Sequence, residues 1–373
     1  MSDSYSSTKP LLDLPLWEKA KSSHTLLSFT LEITARCNND CPHCYINEPE
    51  NDVLAEQKEL TFEQIKKIVD DAVALGALWC LVSGGEPLLR KDFFDIYLYL
   101  KQKGLLVSVF TNATLITEEH IQFFKKYPPR DIEVTVYGIT RGTYAHVTQR
   151  PKNFDKCMAG IRKLSEARLA LTLKSAITRS NYKELNKIAS FAENISQKPF
   201  RFDPFLHLRN DRDALKNREI LSLRLSTDEI IAIESADDKR LLSLKKKCNL
   251  VYTSHSRTKH LDKLFKCGAG LSECCISYDG FFKLCTTLCH RNFVFDLKNN
   301  SITKAWETFV PEVRAARSKN KDFIETCGKC KLTDFCMSCP AHNDLEINEP
   351  DGLVEYFCIM AKKRYETFSK NIL

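Results

Sequence analysis

Cysteine placement constrains this chain more than any other feature. Sixteen cysteines occur in 373 residues, in two separate groups: one ahead of residue 160, and a denser one between Cys248 and Cys358. The N-terminal segment MSDSYSSTKPLLDL lacks the basic start and apolar run of an export signal. No apolar run approaches the roughly 18 residues that a bilayer span needs. The protein is therefore expected to be cytoplasmic, with no membrane partner. In a reducing compartment so many thiols do not form a disulfide framework. They point to metal or cluster ligation, and two groups point to two sites.

Around the first group and beyond it runs a β/α rhythm. Leu26–Thr34 reads as a strand. Thr61 is placed to cap a helix over Phe62–Leu75, whose Ile65, Ile68, Val69, Ala72 and Val73 keep helical spacing, and Gly76 stops it. Leu78–Val82 is a short continuous apolar run, as a strand covered on both faces requires. Alternation continues with helix Lys91–Lys103, strand Leu105–Phe110, helix Glu118–Lys126, strand Ile132–Tyr137, helix Asn153–Glu166 and strand Leu169–Ala176. Helix Tyr182–Ile195 and strand Phe200–Pro204 end it. Strands alternating with helices imply an α/β fold with a parallel sheet that curls into a partial (β/α)6 TIM-like barrel. The expected division is an irregular extension over 1–25, the barrel over 26–207, a charged linker over 208–247 and a small cysteine-rich domain over 248–373. Within the linker Ser226–Glu234 reads as a short helix. In the last part Asp279-Gly280 signals a hairpin turn within Ile276–Leu284, and Trp306 is expected in a core.

Cys37, Cys41 and Cys44 form Cys-x3-Cys-x2-Cys just past the first strand, at the end of a barrel strand where such folds carry chemistry. Three thiolates can hold three irons of a cubane and leave the fourth open to a small chelating ligand. The amine and carboxylate of S-adenosylmethionine (SAM) suit that open corner. Ser83-Gly84-Gly85-Glu86-Pro87 follows the second strand; its glycines allow close backbone approach, and Glu86 can accept from an ammonium group.

CNNDCPHCY resembles the signature of radical SAM enzymes, and the resemblance covers Leu26 to Asp203. It implies a [4Fe–4S] cluster on Cys37, Cys41 and Cys44 and reductive cleavage of SAM to a 5′-deoxyadenosyl radical. Gly84, Gly85 and Glu86 resemble the family's GGEP motif, which implies contact with the SAM amino group. The polar residues Thr111, Asn112, Thr135, Tyr137, Lys174, Ser175, Arg201 and Asp203 lie on or near strand ends. The resemblance implies SAM contacts at Thr111, Asn112, Lys174 and Ser175 among them. His43 stands where the family usually has an aromatic residue and is expected to pack against the cluster or the adenine.

The second group holds Cys267-x12-Gly280-x4-Cys285 and Cys327-x2-Cys330-x5-Cys336-x2-Cys339, with Cys358 closing the set. Seven thiols exceed one tetrahedral site. Thiolate shells suit zinc as well as iron–sulfur clusters. The order resembles the SPASM module of peptide- and protein-modifying radical SAM enzymes, which carries two auxiliary [4Fe–4S] clusters. It implies an outer cluster on Cys327, Cys330, Cys336 and Cys358, and an inner one on Cys267, Cys285 and Cys339. The extra inner ligand is absent from residues 257–266. Cys248, Cys274, Cys275 and Cys289 are candidates, and an open iron is the alternative. Cys80 and Cys157 read as buried or surface thiols, and His146, His255, His290 and His342 as structural or surface residues.

The resemblance implies an oxidoreductase that matures a ribosomally made peptide or modifies a protein, reduced by a flavodoxin or ferredoxin. Formylglycine formation in a sulfatase, tailoring of a small molecule or cofactor precursor, and a non-catalytic Fe–S module are the alternatives. The formal charge of +7 is modest for this length. Basic runs such as Leu244-Lys245-Lys246-Lys247 read as solvated faces, so a nucleic-acid partner is not expected.

Overall fold

A computed structural model describes residues 15–196, 198–253 and 261–369. Six parallel strands carry the barrel: β1 (Ser28–Glu32), β2 (Trp79–Ser83), β3 (Leu106–Thr111), β4 (Asp131–Thr135), β5 (Leu171–Ala176) and β6 (Arg201–Asp203). Each expected strand is present, with its ends displaced by at most two residues. The helices between them include Phe62–Ala74, Phe93–Gln102, Glu118–Lys126, Asn153–Glu166 and Leu185–Ile195. At the first of these, the Thr61 hydroxyl accepts from Gln64 N while the Gln64 side chain accepts from Thr61 N, a reciprocal cap. Ile65, Ile68, Val69 and Ala72 bury the inner stripe. A further helix, Arg141–Thr148, lies where no helix is expected.

The second cysteine region joins the same sheet. β7 (Glu273–Ile276), β8 (Phe281–Lys283) and β9 (Val294–Asp296) give a nine-stranded order β9-β8-β7-β1-β2-β3-β4-β5-β6. β7 runs parallel to β1 with Cys274 beside Phe29 and Cys275 beside Thr30. β8 turns back at the expected Asp279-Gly280, where Gly280 has φ +87°. A main hydrophobic core runs from Leu26 and Val82 through to Phe282 and Trp306, across both regions.

Two stretches depart from expectation. The charged segment 208–247 contains the expected short helix, Thr227–Ser235, and in addition helix Ala214–Leu223 and the start of Asp238–Thr253, which are not expected. Polar faces disguise these two in the sequence, yet Ile220 is fully buried, as is Ile230 of the expected helix. Ahead of β1, Leu16–Ser22 is helical rather than irregular, and Trp17 stacks on Trp79 with ring centroids 5.2 Å apart. Trp306 is buried as expected, and its indole N–H donates to the His24 carbonyl at 2.7 Å. Among the described residues no helix is long and apolar enough to cross a membrane.

Candidate active site

Residues 37–44 form a loop past β1, under a cavity of about 880 Å³. Cys37, Cys41 and Cys44 all lie on its wall, with His43, Gly84 and Gly85. The loop is tied down from several elements. Cys44 N–H donates to Cys41 O at 3.0 Å and Asp40 N–H to Thr148 O at 2.9 Å. The Asn153 amide donates to Asn38 O at 3.0 Å and to Asn39 Oδ1 at 2.8 Å. The fully buried Arg209 donates to Cys44 O at 3.3 Å and to Asn47 Oδ1 at 2.8 Å, and its charge is held by Asp211 at 2.5 Å. Its neighbour Asn210 N–H donates to Tyr45 O at 3.0 Å. Sequence reasoning missed Arg209, because its charged surroundings look like linker.

The Gly84-Gly85 turn lies flat against the chain entering this loop. A Cβ on Gly84 would stand 2.2 Å from Thr34 O, and one on Gly85 2.3 Å from Arg36 O. Gly84 also has φ +146°, which favours glycine. Glu86 faces away from the cavity: it is fully buried and its oxygens are already engaged. They accept from the Thr111 hydroxyl at 2.8 Å, from Asn112 N at 2.7 Å and from Leu88 N at 3.2 Å. Burial pushes its carboxyl up to about 7, against those donors. Glu86 thus fastens the turn to the end of β3, while Gly84 and Gly85 present backbone to the cavity.

Of the strand-end residues, Thr111, Asn112, Thr135, Tyr137, Lys174, Ser175, Arg201 and Asp203 all line the cavity. The Asn112 side-chain amide lies 3.8 Å from Cys37 Sγ. Lys174 sits 3.0 Å from the Phe110 ring centroid and 3.3 Å from Glu133, which Arg201 also contacts at 2.5 Å. Burial pulls the Lys174 ammonium down to about 8 although Glu133 supports it. Ser175 donates to Val136 O at 2.7 Å. His43 packs on Tyr137 with centroids 5.8 Å apart, and burial pulls its imidazole down to about 4.

The same cavity reaches Cys336 and Met337 of the second region. Cys336 lies close enough to Cys327, Cys330 and Cys358 to feel their charge, and Cys285 lies close enough to Cys339. Cys267 is exposed, near Arg314. Cys80 and Cys157 are buried in the main core. Cys248 is buried against Phe335 and Phe368. His146 is exposed, and His342 stacks on His207 with centroids 4.6 Å apart. His255 lies outside the described residues.

The donor sets suit iron–sulfur clusters. The N–H two residues on points at sulfur in Cys37 (from Asn39, 3.4 Å), Cys330 (from Leu332, 3.3 Å) and Cys336 (from Ser338, 3.4 Å). Backbone N–H groups of Ile46, Thr287 and Ala341 serve Cys44, Cys285 and Cys339 in the same way. Such donors favour thiolate over thiol and tune cluster sulfurs. Burial alone pushes the thiols of Cys37, Cys41 and Cys44 up, so thiolates there need the positive charge that iron brings. Among the described residues no group of three His, Cys, Asp or Glu is set to hold a metal ion. A cubane makes a different demand, because each thiolate binds its own iron.

A partial barrel with a three-cysteine loop and a Gly-Gly turn at the ends of its strands is the arrangement that the resemblance to radical SAM enzymes implies. The profile of the Radical SAM superfamily matches residues 31–192, so the barrel segment carries that superfamily's signature. The chain is 24% identical over 329 residues to the Fe-coproporphyrin III synthase of Methanosarcina barkeri, covering 82% of this chain and 80% of that one. It is 23% identical over 320 residues to the antilisterial bacteriocin subtilosin biosynthesis protein AlbA of Bacillus subtilis, covering 82% of this chain and 67% of that one. The fold matches Streptococcus suis SuiB bound to its precursor peptide SuiA with a TM-score of 0.64 at 15% identity, over 94% of this chain and 83% of that one. The architecture is thus the one that SPASM-type radical SAM enzymes share, over most of the chain.

Proposed function

We propose that this radical SAM enzyme modifies a peptide or protein, as in maturation of a ribosomally made peptide. One observation carries the reading: a single cavity is lined by all three cysteines of the loop and by Cys336 of the second cysteine region. A substrate lodged there would lie between both sites. The likeness to SuiB, whose structure contains a precursor peptide, and to a bacteriocin biosynthesis protein supports a peptide substrate.

Cys37, Cys41 and Cys44 would hold the SAM-binding cluster. Backbone of Gly84 and Gly85 would receive the SAM amino group, with Asn112, Lys174 and Ser175 beside it and Glu86 and Thr111 bracing the turn. Bound there, cluster and SAM together supply reductive cleavage of SAM and hence a hydrogen-abstracting carbon radical. Cys327, Cys330, Cys336 and Cys358 would hold an outer auxiliary cluster, and Cys267, Cys285 and Cys339 an inner one. These sites would occupy 248–373, with the barrel over 26–207. A flavodoxin or ferredoxin would deliver the electron.

A second reading is tailoring of a cofactor precursor, favoured by the likeness to the Fe-coproporphyrin III synthase. Reduced, reconstituted enzyme incubated with SAM should release 5′-deoxyadenosine, and the Cys37→Ala/Cys41→Ala/Cys44→Ala variant should release none. Short peptides encoded beside the gene should change mass in the same reaction. Unchanged peptides together with formation of iron coproporphyrin III from an iron tetrapyrrole precursor would replace the first reading with the second.

A further inference from the structure

The auxiliary reading leaves the inner cysteine site one sulfur short, and the inference here rests on that reading. The tertiary structure separates the four candidates. Cys248 belongs to a different cluster of side chains, against Phe335, Ala361 and Phe368. Cys274 pairs in register with Phe29, as does Cys80, and lies in the hydrophobic core. Cys275 is the direct antiparallel partner of Lys283, so the two share a face of the sheet. Cys275 is held mid-strand, however, and is 1% exposed. Cys289 alone sits in a loop that folds back on Cys285: Leu288 N–H donates to Cys285 O at 3.3 Å.

A buried cation fixes that loop. Lys283, 3% exposed, donates to Thr286 O at 2.9 Å and points its ammonium at Cys289 Sγ, 4.0 Å away. From the other side the ammonium meets Glu32 Oε2 at 3.5 Å. Glu32 is fully buried at the end of β1, and its other oxygen accepts from the Tyr45 hydroxyl at 3.2 Å, one residue past Cys44. The ammonium and the Thr286 carbonyl, each 4.0 Å from Cys289 Sγ, fix where that sulfur lies in the loop.

We propose that Cys289 is the fourth sulfur of the inner site, shared with Cys267, Cys285 and Cys339, and that Lys283 is its positioning residue. Tyr45, Glu32 and Lys283 then form a buried polar line from the first cysteine loop to the second site. The Cys-x3-Cys of Cys285 and Cys289 replaces the upstream cysteine that residues 257–266 lack.

The test uses full-length protein, purified and reconstituted anaerobically. Iron is counted and the clusters are followed by electron paramagnetic resonance (EPR) in the wild type and in the Cys289→Ala, Cys289→Ser, Cys275→Ala and Cys274→Ala variants. Wild type should hold about twelve irons, three cubanes. Cys289→Ala should lose one to four of them, with a three-iron signal when only one is lost. Cys289→Ser, which keeps the shape and offers oxygen, should keep the iron and shift the inner cluster's EPR signal. Cys274→Ala and Cys275→Ala should match the wild type. Wild-type iron and spectra in both Cys289 variants would overturn the proposal, as would loss confined to Cys275→Ala. About four irons in the wild type itself would instead remove the auxiliary reading on which the proposal stands.

Discussion

The guanidinium of Arg209 donates to the backbone carbonyl of Cys44, across 165 residues of chain. It also holds both the side chain and the carbonyl of Asn47, at 2.8 and 3.3 Å. The segment after the last barrel strand therefore returns to clamp the loop that follows the first. Arg209 is 1% exposed, so its fork of donors works in a site without competing water.

Replacing Arg209 should loosen that clamp. Arg209→Met leaves the Cys44 carbonyl and the buried Asn47 groups without a donor, at a cost of about 1–3 kcal/mol, while the exposed Asp211 stays solvated. Denaturant unfolding of the apoprotein measures that loss. Arg209→Lys should recover only part, because an ammonium cannot serve Cys44, Asn47 and Asp211 at once. Equal stability of Arg209→Met and wild type would show that the clamp is idle.

Gly85→Ala should disturb the first site from behind. Its Cβ would fall 2.3 Å from Arg36 O and 2.7 Å from Arg36 C, both backbone atoms that cannot swing away. The segment leading into Cys37 must then shift. SAM affinity, measured by equilibrium dialysis on reconstituted protein, should fall at least tenfold, about 1.4 kcal/mol. Gly142→Ala is the comparison: a Cβ there meets nothing within 4 Å and it lies in a helix, so the variant should gain roughly 0.5–1 kcal/mol of stability.

SAM binding should weaken with rising pH through Lys174. Burial pulls this ammonium down to about 8 in the ligand-free protein. If the SAM carboxylate seats beside it, binding favours the protonated form. Affinity is then full below about 8 and declines above it. For folding the sign is opposite: the unfolded chain keeps the lysine protonated up to its ordinary value near 10.4, so this group's burial penalty fades between about 8 and that value. Titration calorimetry from pH 7 to 9 reads the binding effect, and Lys174→Met should flatten the profile. A wild-type profile already flat over that range would detach Lys174 from the SAM carboxylate.

Much of the site was legible because it is local. Cys37, Cys41 and Cys44 share one loop by their spacing, and Thr61 caps its helix through Gln64, three residues on. The Asp279-Gly280 turn likewise needs only the residues around it. Glu86 was legible as a residue of the turn and illegible in its orientation. Its partners Thr111 and Asn112 come from the next strand, and only the parallel pairing of β2 and β3 brings them to its carboxylate.

What the amino-acid order determined by itself was the set of short-range devices: strand and helix periods, caps, turns, and the grouping of thiols into two regions. These depend on backbone geometry over a few residues, so neighbouring side chains suffice to specify them. The tertiary structure alone decided that β7 lies beside β1, that Arg209 reaches Cys44, and that Lys283 faces Glu32 and Cys289 rather than solvent. Apart from Lys283 and Cys289, six positions apart, those contacts join residues more than a hundred positions apart. Which of many polar side chains meet there follows from how the whole sheet closes, because burial forces each charge to find a partner and the chain path determines which partners are within reach.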